Sequence, residues 1–373
     1  MPPFRKWKMR SAKLNPLVEE LLGRIRSMDI GRVHLMEVCG THTMSIAKSG
    51  IKQMLPDNIK LISGPGCPVC VTPAPVIDCI LRLSEDTNNI LASYGDMLRV
   101  PGSVPGDNLL LRRAKGARVE IVYSPMDALR IAQEHPERQV VFLGVGFETT
   151  APGTAATILT AEQQHIANFS VLSMLKCVEP ALRALIAEPG FDVQGFICPG
   201  HVASIIGETG FRFLPEEYGI PAAISGFEAE DILASVYRLL RQIEKKQPLL
   251  ENTYSRAVSK EGNSAARQIM DLCFAPCDEL WRGLGVIPGS GLGIRKEYAA
   301  FDAQARFGIR FPESEAPSAC RCGDVICGKL HPNACPMFAK RCLPEDPVGP
   351  CMVSSEGACA AAYKYGDLDL CKK

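Results

Sequence analysis

From about residue 30 to residue 246 the chain repeats one pattern: a short apolar run, a turn rich in Gly or Pro, then a segment whose apolar positions recur at helical spacing. Such alternation predicts an α/β fold with parallel sheets. The runs that predict strands are 33–38, 60–63, 89–94, 119–123, 140–145, 169–174, 195–198 and 222–225. Helices are predicted at 73–83, 108–115, 125–134, 153–164, 179–186, 202–206 and 228–246. The last is the clearest, because Ile232, Leu233, Val236, Leu239, Leu240 and Ile243 fall on one face and Lys245 and Lys246 suit the negative end of the helix dipole.

Each strand end carries an unusual turn: GPGCPVC at 64–70, YGDMLRVPG at 94–102, YSPMD at 123–127, GVGFETT at 144–150, CPGH at 198–201 and SGFEAED at 225–231. Ligands of open α/β sheets bind at the carboxyl ends of strands, so these turns are expected to surround a shared cleft. GFE occurs twice, at 146–148 and 226–228, each time between strand and helix, which points to two related halves. Beyond Lys246 the helical periodicity fades, and from Ser318 onward the chain reads as a loop-rich module organised by something other than an apolar core.

Composition narrows the function. Eight of the sixteen cysteines fall at or after residue 320: Cys320, Cys322, Cys327, Cys335, Cys342, Cys351, Cys359 and Cys371. A chain of 373 residues with 46% apolar content builds an ample core, so a disulfide framework is unnecessary and clustered cysteines point to metal or redox chemistry. The basic N-terminus is followed by an amphipathic segment at 14–25 rather than an apolar signal core, and no stretch has the ~20 apolar residues of a membrane span. A soluble, cytoplasmic protein is expected. With 41 basic and 41 acidic residues there is no field to attract nucleic acid or an anionic membrane, which leaves proteins as the expected partners. Length alone suggests two or three domains.

Three cysteine groups carry candidate chemistry. The C-terminal thiols lack the close C-x2-C pairs of zinc knuckles, and their long gaps favour a [4Fe-4S] cluster. Cys67 and Cys70 form a C-x-x-C between a strand and a helix, which suits a reversible dithiol/disulfide, although half of a zinc site has the same spacing. Cys39 and His42 stand three residues apart after an apolar strand, as an activated nucleophile or as two metal ligands. His201, Glu148 and Glu228 are possible cleft residues, the two glutamates also being ordinary partners of a helix N-terminus. Asp96 and Asp127 read as turn residues, and Cys79, Cys177, Cys198, Cys273 and Cys277 as small core residues. Neither a dinucleotide fingerprint nor a P-loop occurs in proper context.

MEVCGTHT, GPGCPVCVTP, YGDMLRVPG, YSPMDAL, GFETTAP, PGHV, WRGLGVIPGSG, C-x12-CPMF and VGPCMVSSEGACAA, in this order, resemble the hydrogenase maturation protein family HypD over nearly the whole chain. The resemblance implies two Rossmann-like α/β domains of similar architecture and a third domain with a [4Fe-4S] cluster, arranged as in ferredoxin-thioredoxin reductase. The boundaries expected on this basis are 30–143, 144–246 and 247–373, the last with or without 1–29. It also implies a scaffold that, with the small chaperone HypC, holds iron while the Fe(CN)2CO unit of [NiFe]-hydrogenases is assembled, with cyanide from HypE and HypF upstream. Such a scaffold is a monomer alone, a heterodimer with HypC, and not a conventional turnover enzyme. Carried over by position, Cys39 becomes the iron ligand with His42 beside it, Cys67 and Cys70 the redox pair, and Cys322, Cys335, Cys342 and Cys359 the cluster ligands. Cys320, Cys327, Cys351 and Cys371 are then surplus, and a small loop adjustment would let Cys320 replace Cys322. Two other readings explain part of the pattern: an iron-sulfur thiol-disulfide reductase acting on a thioredoxin-like partner, and a zinc-stabilised binding module.

Overall fold

In the computed structural model, which describes residues 15–311, 313–314 and 318–366, every apolar run that predicts a strand forms one. Strands β1 (Val33–Glu37), β2 (Ile59–Ser63), β3 (Asn89–Ser93), β4 (Val119–Ile121), β5 (Gln139–Gly146), β6 (Phe169–Leu175), β7 (Gly195–Pro199), β8 (Ala222–Ser225) and β9 (Leu250–Asn252) make two parallel sheets. The first has the order β2-β1-β7-β8-β9 and the second β4-β3-β5-β6. An antiparallel hairpin, β10 (Phe274–Trp281) and β11 (Gly285–Ile294), follows. It meets the edge of the second sheet where Lys176 bridges to Gly291.

The sheets are interleaved along the chain. After β2 the chain leaves the first sheet, builds all four strands of the second, and returns at β7, which pairs with β1 through Leu35 and Gly195. The expected units 30–143 and 144–246 therefore do not coincide with sheet membership. Apolar periodicity locates strands, but the choice of partner lies in long-range contacts. At this crossing a Cβ on residue 195 would stand 3.0 Å from a Leu35 methyl.

Helices α1 (Pro16–Arg26) and Ala229–Lys245 pack together on the first sheet, burying Val18, Leu22 and Ile25 with Ile232, Leu233, Val236 and Leu239. Each such side chain contributes about 1.5–3 kcal/mol when removed from water. Helix α2 (Gly40–Ser49) follows β1 directly and buries Gly40, His42, Thr43 and Ile46. The segment after Lys246 is more ordered than its Gly and Pro content implies, with a helix at Ser264–Cys273 and the β10–β11 hairpin.

In the cysteine-rich module, short helices Cys322–Ile326, Pro350–Val353 and Ala358–Tyr365 surround the thiols. The module is not free of an apolar core: Val325, Ile326, Phe338, Met352 and Val353 join one continuous core with both sheets, and Cys67, Cys70, Cys322, Cys342 and Cys359 lie in it too. Cys371 lies outside the described residues. Among the described residues no helix is long and apolar enough to cross a membrane.

Candidate functional site

The site begins where β1 ends. Cys39 is extended (φ −151°, ψ 125°) and occupies the N-cap of α2, with the amides of Thr41 and His42 turned to its sulfur. Amides at a helix start favour thiolate, yet burial outweighs them and pushes the Cys39 thiol up to about 12, helped by the charges of Glu356 and Glu37. A cation placed at the sulfur would reverse that balance. Beneath the turn lies Glu37, 1% exposed, whose carboxylate accepts hydrogen bonds from the Cys39 amide and the Thr43 hydroxyl. Burial raises the Glu37 carboxyl to about 7 despite these bonds.

The GPGCPVC loop lies against this turn. Gly64 donates its amide to the Glu37 carbonyl at 2.7 Å, and the Gly66 carbonyl accepts the Gly40 amide at 2.9 Å. Cys67 and Cys70 are joined in a buried disulfide, with Cα atoms 5.2 Å apart. The C-x-x-C lies between β2 and the next helix, as expected: it forms a tight turn closed by the Val71 amide on the Cys67 carbonyl, and Ala74–Leu83 starts after Pro73. Proline at the N-cap places the helix dipole beyond the sulfurs. Arg282 of the WRGLG motif fixes the exit of the turn, its amide bonding the Val71 carbonyl and its guanidinium the Thr72 carbonyl at 3.0 and 3.1 Å.

On its other side α2 meets the cysteine-rich module. The Thr41 hydroxyl donates to Glu356 at 2.6 Å, and a Cβ on residue 40 would stand 2.5 Å from Glu356 Cβ, so Gly40 is what allows the close approach. The His42 ring is fully buried, with Nε2 2.9 Å from the Gly226 carbonyl and Nδ1 without a partner among the described residues. Burial lowers its pKa to about 4, so the ring is neutral. Phe227 separates the two histidines, 4.7 Å from His42 and stacked at 4.0 Å on His201. His42 thus faces the β8 turn through its ring and Cys39 through its amide.

The expected shared cleft forms only in part. Cys39, His42, His201 and the Gly226–Phe227 turn gather at the strand ends of the first sheet. Glu228 sits in the same turn but is exposed and forms a capping box with Asp231 at the start of Ala229–Lys245. Glu148 belongs to the second sheet, where it accepts the Val178 amide at 2.8 Å. Glu37 and Glu356 escaped the sequence reading, although both stand inside motifs that drew attention.

The third feature is a small cavity in the module, lined by Cys320, Cys322, Cys335, Cys342 and Cys359 with Val325, Met337, Phe338 and Val348. All four expected cluster ligands reach it, and so does Cys320. A Cβ on Gly349 would stand 2.3 Å from the Cys320 sulfur and 2.8 Å from that of Cys322, so the two thiols share one wall. The Cys322 thiol hydrogen-bonds those of Cys351 and Cys359, which holds Cys359 down and Cys351 up. Cys351 is completely buried, and Cys327 turns away toward the Gly283 carbonyl. Among the described residues no three such side chains converge on a single-ion site. A cubane asks for something else, one thiolate for each of four irons in a dry, soft pocket, and this donor set has that chemistry.

A family model described as HypD, hydrogenase formation hypA family, matches residues 16–366. The chain is 44% identical over 335 residues to hydrogenase maturation factor HypD2 of Bradyrhizobium diazoefficiens, covering 88% of each chain. It is 43% identical to hydrogenase maturation factor HypD of Cupriavidus necator over 90% of each chain, and 43% identical to that of Escherichia coli over 88% of this chain and 87% of the other. With its motifs, its paired parallel sheets and its cysteine-rich module, the chain belongs to the HypD family of hydrogenase maturation factors.

Proposed function

We propose that, within hydrogenase maturation, this chain is the scaffold that holds iron on Cys39 while the Fe(CN)2CO unit of a [NiFe]-hydrogenase is assembled, in a heterodimer with a HypC-type chaperone. Cyanide comes from a HypE-type donor served by a HypF-type protein. The observation that carries this reading is the junction of three motifs at one turn: Cys39 lies against Gly66 of the disulfide loop, and the next two residues, Gly40 and Thr41, lie against Glu356 of the cysteine-rich module.

Within that frame the residues divide the work. Cys39 anchors the iron, and the amides of Thr41 and His42 stabilise its thiolate once a cation offsets burial. Neutral His42 and the Phe227–His201 stack wall the turn off from water. Cys67 and Cys70 accept two electrons and two protons to become a dithiol, beside the iron anchor. Cys335, Cys342, Cys359 and one of Cys322 or Cys320 would hold a [4Fe-4S] cluster, which would supply one-electron redox chemistry there. Arg282 spans the two, binding the exit of the disulfide turn while neighbouring Gly283 lies against Gly323, next to Cys322.

The rival reading, a reductase for a thioredoxin-like partner, uses the same disulfide and cysteine cavity but gives Cys39 no role. Infrared spectroscopy of the anaerobically purified complex with a HypC-type partner tests the choice. Cyanide and carbonyl stretching bands are expected. A brown, cluster-loaded complex without such bands, active as a disulfide reductase, supports the rival instead.

A further inference from the structure

A carboxylate removed from water is costly unless its lone pairs are used, and Glu37 uses them on three different elements. One oxygen accepts the Cys39 amide at 3.1 Å. The other accepts the Thr43 hydroxyl in the first turn of α2 at 2.5 Å. A third bond comes from the side chain of Ser63, which is the register partner of Glu37 in β2 and the residue directly before Gly64 of the disulfide loop. The carboxylate thus bonds both the N-cap amide and a first-turn side chain of α2, taking part in starting the helix from below.

We propose that Glu37 is a positioning residue for the iron-holding step: it locks the Cys39 turn, the first turn of α2 and the start of the disulfide loop into one register, keeping the Cys39 thiol fixed relative to Cys67 and Cys70. The inference rests on the reading of Cys39 as the iron anchor. Groups that orient a metal ligand from behind typically change metal affinity about 10- to 100-fold when replaced. Glu37→Gln keeps the shape but exchanges one acceptor oxygen for a donor amide, which cannot accept from the Cys39 amide or the Thr43 hydroxyl at that position. Thr43→Val removes one donor without touching the strand, and Thr43→Ser restores it.

The test uses the full chain, anaerobic and cluster-bearing, alone and with a HypC-type partner. Without iron at Cys39, the rate of Cys39 alkylation by iodoacetamide is expected to rise about fivefold in Glu37→Gln and in Thr43→Val, the effect of one lost hydrogen bond. With the partner, both variants are expected to retain at least about tenfold less iron with cyanide bands. Thr43→Ser matches the wild type, and cluster absorbance and melting temperature stay within the wild-type range. Unchanged alkylation and iron retention in Glu37→Gln, alongside loss of iron in Cys39→Ala, overturns the positioning role alone. Loss of cluster absorbance or of cooperative melting in both Glu37→Gln and Thr43→Val also overturns it, since the residue is then a general structural support. Retention of iron by Cys39→Ala removes the underlying reading instead.

Discussion

Gly66 lies flat against Cys39: a methyl group on residue 66 would stand 2.1 Å from the Cys39 amide nitrogen and 2.4 Å from its Cα. Backbone, not a flexible side chain, occupies that space, so nothing yields cheaply. Gly66→Ala is therefore expected to separate the two motifs, costing about 1–3 kcal/mol of stability. Denaturant melts of the oxidised protein give the stability. Iron retention with the partner is expected to fall further than stability alone accounts for, because Cys39 and the Cys67–Cys70 disulfide no longer share a fixed geometry.

Cys320 and Cys322 lie against the same face of Gly349 and line the same cavity, whereas among the described residues Cys335 and Cys342 each bring a single thiol on their segments of its wall. Single replacement of Cys335, Cys342 or Cys359 by Ala is expected to abolish cluster absorbance after anaerobic reconstitution with iron and sulfide. Cys322→Ala retains a cluster, with Cys320 in the fourth position, and Cys320→Ala/Cys322→Ala together lose it. Iron and acid-labile sulfide content, with low-temperature electron paramagnetic resonance of the reduced proteins, checks each case. Full loss in Cys322→Ala alone contradicts the interchange.

Glu148 is a pH lever unrelated to iron. One oxygen accepts the Val178 amide, the other is buried without a partner among the described residues, and burial raises the carboxyl from 4.5 to about 7. The folded protein thus holds a proton that the unfolded chain releases, so stability from this group is full below pH 4.5 and is lost as pH rises to 7. The loss is roughly 3 kcal/mol by linkage. Glu37 adds a parallel trend, and buried neutral His42 an opposite one as pH falls toward 4. Chemical denaturation of Glu148→Gln across pH 5–8 isolates the term: the variant is expected to lose less stability than the wild type as pH rises, and equal slopes contradict it.

The strands were legible because each is a local apolar run, and the helix Ala229–Lys245 because its apolar residues recur on one face. Helix α2 was not, since GTHTMSIAKS buries Gly40, His42 and Thr43 beside Ile46 and so lacks an apolar stripe. The partition into sheets depends on β7 returning to β1 across 160 residues, a contact that periodicity does not encode. Cys39, Cys67 and Cys70 stood out by residue type and spacing. Glu37 did not, because an acid ending a strand looks like a solvent-facing residue until its three donors are in place. Glu356 gained meaning only when the cysteine-rich module docked on Gly40 and Thr41. His42 shows the converse: its type was noticed, but its ring faces Gly226 and Phe227.

The account turns on Cys39 as the iron anchor, and infrared spectroscopy of two anaerobic complexes with a HypC-type partner, wild type and Cys39→Ala, tests it most directly. The wild type is expected to show cyanide and carbonyl stretching bands, and Cys39→Ala to lose them while keeping its cluster absorbance and its Cys67–Cys70 disulfide. Undiminished bands at unchanged frequencies in Cys39→Ala would contradict the account.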